Sequence, residues 1–276
     1  MSSILVLRQP SCISMVTDAA SYNSAGIVEQ ISTKIAVLPH LNAAIYTRGP
    51  ANTTLLAAYD MGRMFGSFDE LVDRLEAFAT DFYERRASHF VHNEFPEIEL
   101  YVCGWSAKRS APEGYLIRCC FADSNFHDNP EWLTKGGTYT AAPFKVQTLA
   151  KLCASPGVTP EDMKQAMFPS HLEVEELDPK VAGLHLFHIQ RGKLGTRPDQ
   201  VNFYAVGGFA MLTTIRENEI TQSILKRFND KVGEPITPEP VDWNKFVRPV
   251  AAPLSFMTRQ QRRALEREQR LLKDRS

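Results

Sequence analysis

No apolar run in this chain approaches the ~18 residues that a membrane-spanning helix needs. The N-terminus lacks a charged segment followed by an apolar stretch, so no secretory signal is read there. Cysteine is sparse and unpatterned: Cys12, Cys103, Cys119, Cys120 and Cys153 are odd in number and contain no CxxC spacing. That excludes a disulfide framework and a cysteine zinc site, and the five read as reduced structural thiols. Reduced thiols without a signal place the expected compartment in a cytoplasm. No charge sign dominates either. The net charge is −1 over 276 residues, so the whole-chain balance calls for no nucleic acid. His185/His188 and His89/His92 lack a third ligand at useful spacing, and no metal or cofactor is expected. Gly136-Gly137 and Gly207-Gly208 lack the strand-to-helix setting of a phosphate loop, and no GxSxG is present.

What is present is an ordinary globular composition, 43% hydrophobic and 23% charged, with enough chain for a core that needs no staple. Ile4 to Arg8 and Cys12 to Thr17 read as a hairpin around Gln9-Pro10-Ser11. A polar stretch from Ser21 to Thr33 follows. Ile35 to Leu38 and Ala43 to Thr47 form a second hairpin. Pro50 introduces a helix over Ala51 to Phe65. Ser67 caps another, with Glu70 at the capping-box position. There Phe68, Leu71, Val72, Leu75, Phe78, Ala79 and Phe82 make one apolar stripe.

Strands are expected at Ile98 to Trp105, Tyr115 to Ala122 and Thr138 to Ala142. Helices are expected at Val146 to Ala154 and Pro160 to Phe168. Strands then return at Leu184 to Gln190, Val201 to Val206 and Phe209 to Ile215. Strands and helices arrive in blocks, which excludes alternating βαβ winding and predicts an α+β fold of antiparallel sheets with helices on outer faces.

Beyond residue 231 the character changes. Five prolines in Val232 to Pro253 disfavour helix and strand alike, so residues 232–257 read as a linker or strap after a domain at 1–231. The strap is expected to leave the domain. Residues 258–276 read as a basic helix capped by Thr258. From Arg259 on it holds seven basic residues against three acidic ones and no aromatic residue. Base stacking is therefore unsupported and nucleic acid is not favoured. The helix reads as a docking piece for a homo-oligomer or an assembly partner.

The chemistry-bearing residues lie at the start. Ser2, Asp18 and Lys34 are spaced at sixteen and sixteen residues. Asp18 ends the run Cys12 to Thr17, and Lys34 opens Ile35 to Leu38. This spacing resembles the N-terminal-nucleophile hydrolases, in particular proteasome β subunits and related bacterial and phage proteins. Their mature chains begin with a hydroxyl residue and carry an Asp and a Lys at these intervals. The likeness is close over roughly the first sixty residues. It implies a four-layer αββα sandwich, an N-terminal serine that hydrolyses amide bonds in peptide-like substrates, and no cofactor.

The chemistry fits those residue types. The α-amine of residue one can take the hydroxyl proton of its own side chain, and a nearby Lys34 ammonium favours the neutral amine. Asp18 holds Lys34. The resemblance adds an oxyanion-binding backbone N–H at Arg48-Gly49 and a helper acid, for which Asp178 is the nearest candidate. It also departs from the family. Ser replaces the usual Thr, Ala20 stands where Arg is usual, Arg48 stands where Gly is usual, and only Met1 precedes Ser2. Removal of Met1, which a small second residue allows, would expose the amine. The alternative is a catalytically inactive proteasome-like structural or assembly protein, phage-encoded and carried in a virion.

Overall fold

The structure, a computed structural model, describes residues 3–86, 97–120, 145–155, 157–166, 168, 173–195 and 203–245. Ser2, the strand expected at Thr138 to Ala142, and the basic helix at 258–276 lie outside them. The fold is α+β with antiparallel sheets.

Two five-stranded sheets form the centre. The first contains β1 (Ile4–Gln9), β2 (Cys12–Thr17), β10 (Leu152–Ser155), β13 (Phe209–Arg216) and β14 (Glu219–Arg227), in the order β10-β1-β2-β13-β14. The second runs β5 (Ile35–Leu38), β6 (Ala43–Arg48), β7 (Glu97–Ser106), β8 (Ala111–Cys120) and β9 (Val146–Thr148), in chain order. The polar stretch after Asp18 forms a small two-stranded sheet, β3 (Ala20–Tyr22) with β4 (Val28–Ile31).

Side chains on a strand alternate between faces, and the central strands β1 and β2 are buried on both. On β1, Ile4 and Val6 enter an apolar cluster with Ala44, Tyr46, Tyr101 and Cys103 of the second sheet. Leu5 and Leu7 point the other way, to a cluster with Leu186 and Phe187. Burial on both faces explains why β1 and β2 read as unbroken apolar runs. Beneath the second sheet lie α1 (Thr53–Met64), α2 (Phe68–Asp73) and α3 (Leu75–Arg85), packed on Ile45, Leu100, Val102 and Ile117. Each fully buried aromatic or leucine contributes about 1.5–3 kcal/mol.

The single helix expected after Ser67 is divided at Arg74. Its start is as expected: Ser67 Oγ accepts from the Glu70 amide at 3.1 Å. The Glu70 carboxylate, however, reaches back to the amide of Gly66 at 2.9 Å.

Two expectations from the second half fail, and one strand is missed. Val146 to Ala154 is two edge strands, β9 and β10, not a helix. Leu184 to Gln190 is not a strand but most of a helix; after α4 (Pro160–Gln165), α5 spans Pro179–Arg191. The local alternation Leu-His-Leu misled. Ala182, Leu186 and Ile189 recur at helical spacing, and Asp178-Pro179 is a start signal, with Asp178 capping the Lys180 amide at 2.8 Å. Finally, β14 has no counterpart in the sequence reading, because its mostly exposed pattern lacks the apolar run of an interior strand. Two short strands, β11 (Leu194–Gly195) and β12 (Phe203–Tyr204), pair between α5 and β13.

The strap does not leave at Val232. The Val28 amide donates to Glu234 O at 3.0 Å, and the Gly233 amide donates to Val28 O at 2.8 Å. Ile236 is buried with Ala20 and Val28. Trp243 packs against the cluster under α5, its ring 5.7 Å from that of His185. At least to Trp243, this piece lies on its own body.

Candidate active site

Strand register brings several polar residues to one end of the two sheets. Ile4 lies opposite both Thr17 and Ser155, so Ser3 and Asp18 are neighbours just past that end. In the other sheet Ile35 lies opposite Tyr46, and Arg48 opposite Glu99, which puts Lys34 beside the end of β6. A donor on Arg48 reaches Ser155 Oγ across the gap between the sheets, so the two ends face each other.

At this place Lys34 Nζ lies 2.8 Å from Asp18 Oδ2. The other carboxylate oxygen, Oδ1, accepts the Ser3 amide at 2.9 Å. Asp18 is fully buried, and the Lys34 side chain is 11% exposed. Lys34 also donates to Ala20 O. Burial pushes the Lys34 ammonium below the ordinary lysine value; Asp18 opposes that shift, and the Arg48 charge adds to it. The Ser3 hydroxyl donates to Gln190 Oε1 at the end of α5. The first described residue is thus held at both its amide and its side chain.

Around the pair is a bracket that the sequence reading did not identify. The amides of Ala19 and Ala20 both donate to Gly207 O, at 2.9 and 3.1 Å. Asp230 Oδ2 accepts the Gly208 amide at 2.7 Å and pairs bidentately with Arg191 at 2.6 and 2.8 Å. Arg191 also donates to Val206 O. A Cβ at position 207 would lie 2.5 Å from Asp230 Oδ2 and 2.9 Å from Arg191, so only glycine allows this approach. Gly207-Gly208, unpromising as a phosphate loop, is the clasp that holds the chain after Asp18. Gln190 and Arg191 were hidden because their helix read as a strand.

The remaining candidates fall as follows. The Arg48 guanidinium is in an ion pair with Glu99 at 2.7 Å, and Glu99 also accepts from Tyr101 at 2.9 Å. Gly49 follows directly; a Cβ there would meet Ile98 Cγ2 at 2.7 Å. Asp178 does not join the group. It caps the far end of α5, about 18 Å along the axis from Gln190 at 1.5 Å per residue. Thr17 Oγ1 and Arg48 Nε are among the buried polar atoms that make no hydrogen bond among the described residues. Among the described residues no set of three or more His, Cys, Asp or Glu could hold a metal, and no helix is long and apolar enough to cross a membrane.

The arrangement keeps the Lys34 ammonium close to Ser3 in buried, polar surroundings, where charge interactions exceed their strength in water. The chain matches no protein-family model and no curated protein sequence.

Proposed function

We propose that this protein is a four-layer αββα sandwich of the N-terminal-nucleophile type, resembling proteasome β subunits, and that it hydrolyses amide bonds in peptide-like substrates through Ser2. The observation that carries the reading is the buried Lys34–Asp18 pair with the Ser3 amide on the same carboxylate. That amide belongs to the peptide bond that joins Ser2 to Ser3.

With Ser2 as the first residue of the mature chain, its α-amine accepts the hydroxyl proton as the oxygen attacks the substrate carbonyl. The amide N–H groups near Arg48-Gly49 receive the oxyanion. The protonated amine then passes its proton to the leaving nitrogen, which departs as an amine. The serine ester left behind is hydrolysed by a water that the same amine deprotonates. Lys34 keeps the amine neutral between steps by like-charge repulsion, and Asp18 fixes Lys34.

Intact-mass measurement should show a chain that begins at Ser2. Ser2→Ala should abolish amidase activity in a folded protein, and Lys34→Ala should nearly do so. Activity that survives both changes would refute the mechanism.

A second reading has its own support. Arg48 places a guanidinium where the resemblance has glycine, and Asp178 is committed to a helix cap. In that reading the protein is a non-catalytic assembly or virion component that docks through its C-terminal tail. A mature chain that retains Met1 and shows no amidase activity supports it. In the hydrolase reading the protein is a cytoplasmic homo-oligomer, and size-exclusion with light scattering tests that state.

A further inference from the structure

Away from the Asp18–Lys34 site, the outer face of the first sheet carries a cavity of about 970 Å³, within the range that holds a small organic ligand. One wall is α5, with Val181, Leu184 and His188. The floor is β14, with Ile224 and Lys226. The strap closes the other side with Pro235 and Pro240. Ile224 is 38% exposed although it is apolar.

The charges around this space are largely matched. Arg191 is locked to Asp230, and Lys231 pairs with Glu234 at 3.3 Å. The Arg227 guanidinium lies over the Phe209 ring, 5.4 Å from its centroid. Lys180 and Lys226 line one side of the space, next to His185 and His188, and Glu239 and Asp242, both from the strap, line the other. What sets Lys226 apart is the surroundings of its ammonium. Its ammonium is 3.3 Å from His188 Nε2 and 5.3 Å from the Phe228 ring centroid, and among the described residues it has no carboxylate partner. His188 therefore offers it a lone pair and is neutral. Burial, then Lys226, Arg191 and His185, hold the His188 imidazole down at about 4. The corner between α5 and β14 is thus electropositive, and it adjoins an apolar wall.

We propose that this cavity binds an amphipathic monocarboxylate, with the carboxylate on Lys226 beside His188 and the apolar tail along Val181, Leu184 and Ile224. A carboxylate supplies the anion that Lys226 lacks. The apolar tail covers side chains that water otherwise wets. Glu239 and Asp242 on the strap repel the headgroup and so orient it toward β14.

Calorimetric titration of the full-length protein with decanoate tests this, with decanol as a neutral probe of equal chain length. Saturable decanoate binding at least about tenfold tighter than decanol is expected. On binding, the His188 imidazole resonances should titrate at higher pH, because a neighbouring anion favours the imidazolium. Lys226→Met should weaken decanoate about tenfold and leave decanol unchanged. Ile224→Glu, at an exposed strand position, should exclude decanoate without unfolding the protein. Equal affinity for the two probes, wild-type decanoate affinity in folded Lys226→Met, or no saturable binding would each overturn the proposal.

Discussion

Two buried ion pairs sit within the same fold and are built differently. Arg191–Asp230 is bidentate, with side chains 6% and 4% exposed. Its other hydrogen bonds fix backbone: Arg191 holds Val206 O and Asp230 holds the Gly208 amide. The guanidinium also lies 4.4 Å over the Phe228 ring. Arginine does not titrate in a protein, and its planar fork fits a carboxylate in one geometry. Asp18–Lys34 joins a single ammonium to one carboxylate oxygen. Lysine is a point charge whose proton affinity moves with burial, and here it has moved down. The first pair is a clamp, whereas the second is suited to adjusting a neighbouring proton. The clamp also serves the other pair, through Gly207 and the amides of Ala19 and Ala20.

The largest effect should come from opening the clamp. Asp230→Ala leaves a buried guanidinium unpaired and should cost about 3–5 kcal/mol, read as a fall in denaturation midpoint. A loss under about 1 kcal/mol would mean that the clamp is not structural. Next is the pH response of His188, whose value is depressed partly by Arg191. Between about 6.5 unfolded and about 4 folded, the unfolded chain binds more protons. Stability therefore rises with pH through that window and falls on acidification, by up to about 3 kcal/mol in all. His188→Gln should flatten the profile between pH 6.5 and 4; an unchanged profile would assign the acid sensitivity elsewhere.

Lys34→Met should cost less than Asp230→Ala, about 1–3 kcal/mol, because the ammonium removed is itself costly to bury and Asp18 keeps the Ser3 amide. Any amidase activity should be lost with it. Equal destabilisation by the two variants would erase the distinction between the pairs. The smallest effect is a control: Ser67→Ala, far along the chain from both, should cost about 1 kcal/mol through loss of the helix cap and leave the pH profile unchanged.

How much could be read in advance differs along the chain. β1, β2, β5 and β6 are legible because each is a short apolar run bounded by turn residues, with the partner next in sequence. Asp18 and Lys34 could be marked because they end and open such runs at a regular interval. Their separation of 2.8 Å required the meeting of two sheets. α5 was misread because Leu184-His185-Leu186 alternates locally, while the decisive signals were the cap and the longer period. β14 carried no signal at all. It is an edge strand with mostly exposed residues, and its place is set by pairing with β13.

The sequence alone determined the first two hairpins, the cap at Ser67, and the candidate Asp and Lys, because each depends on neighbours within a few residues. Only the tertiary structure decided that Gln190, Arg191, Gly207 and Asp230 surround the start of the chain, and that the proline-rich strap turns back to bury Ile236. Those contacts join residues far apart in the chain. No local preference encodes them; they form because hydrogen-bonding groups buried together must find partners.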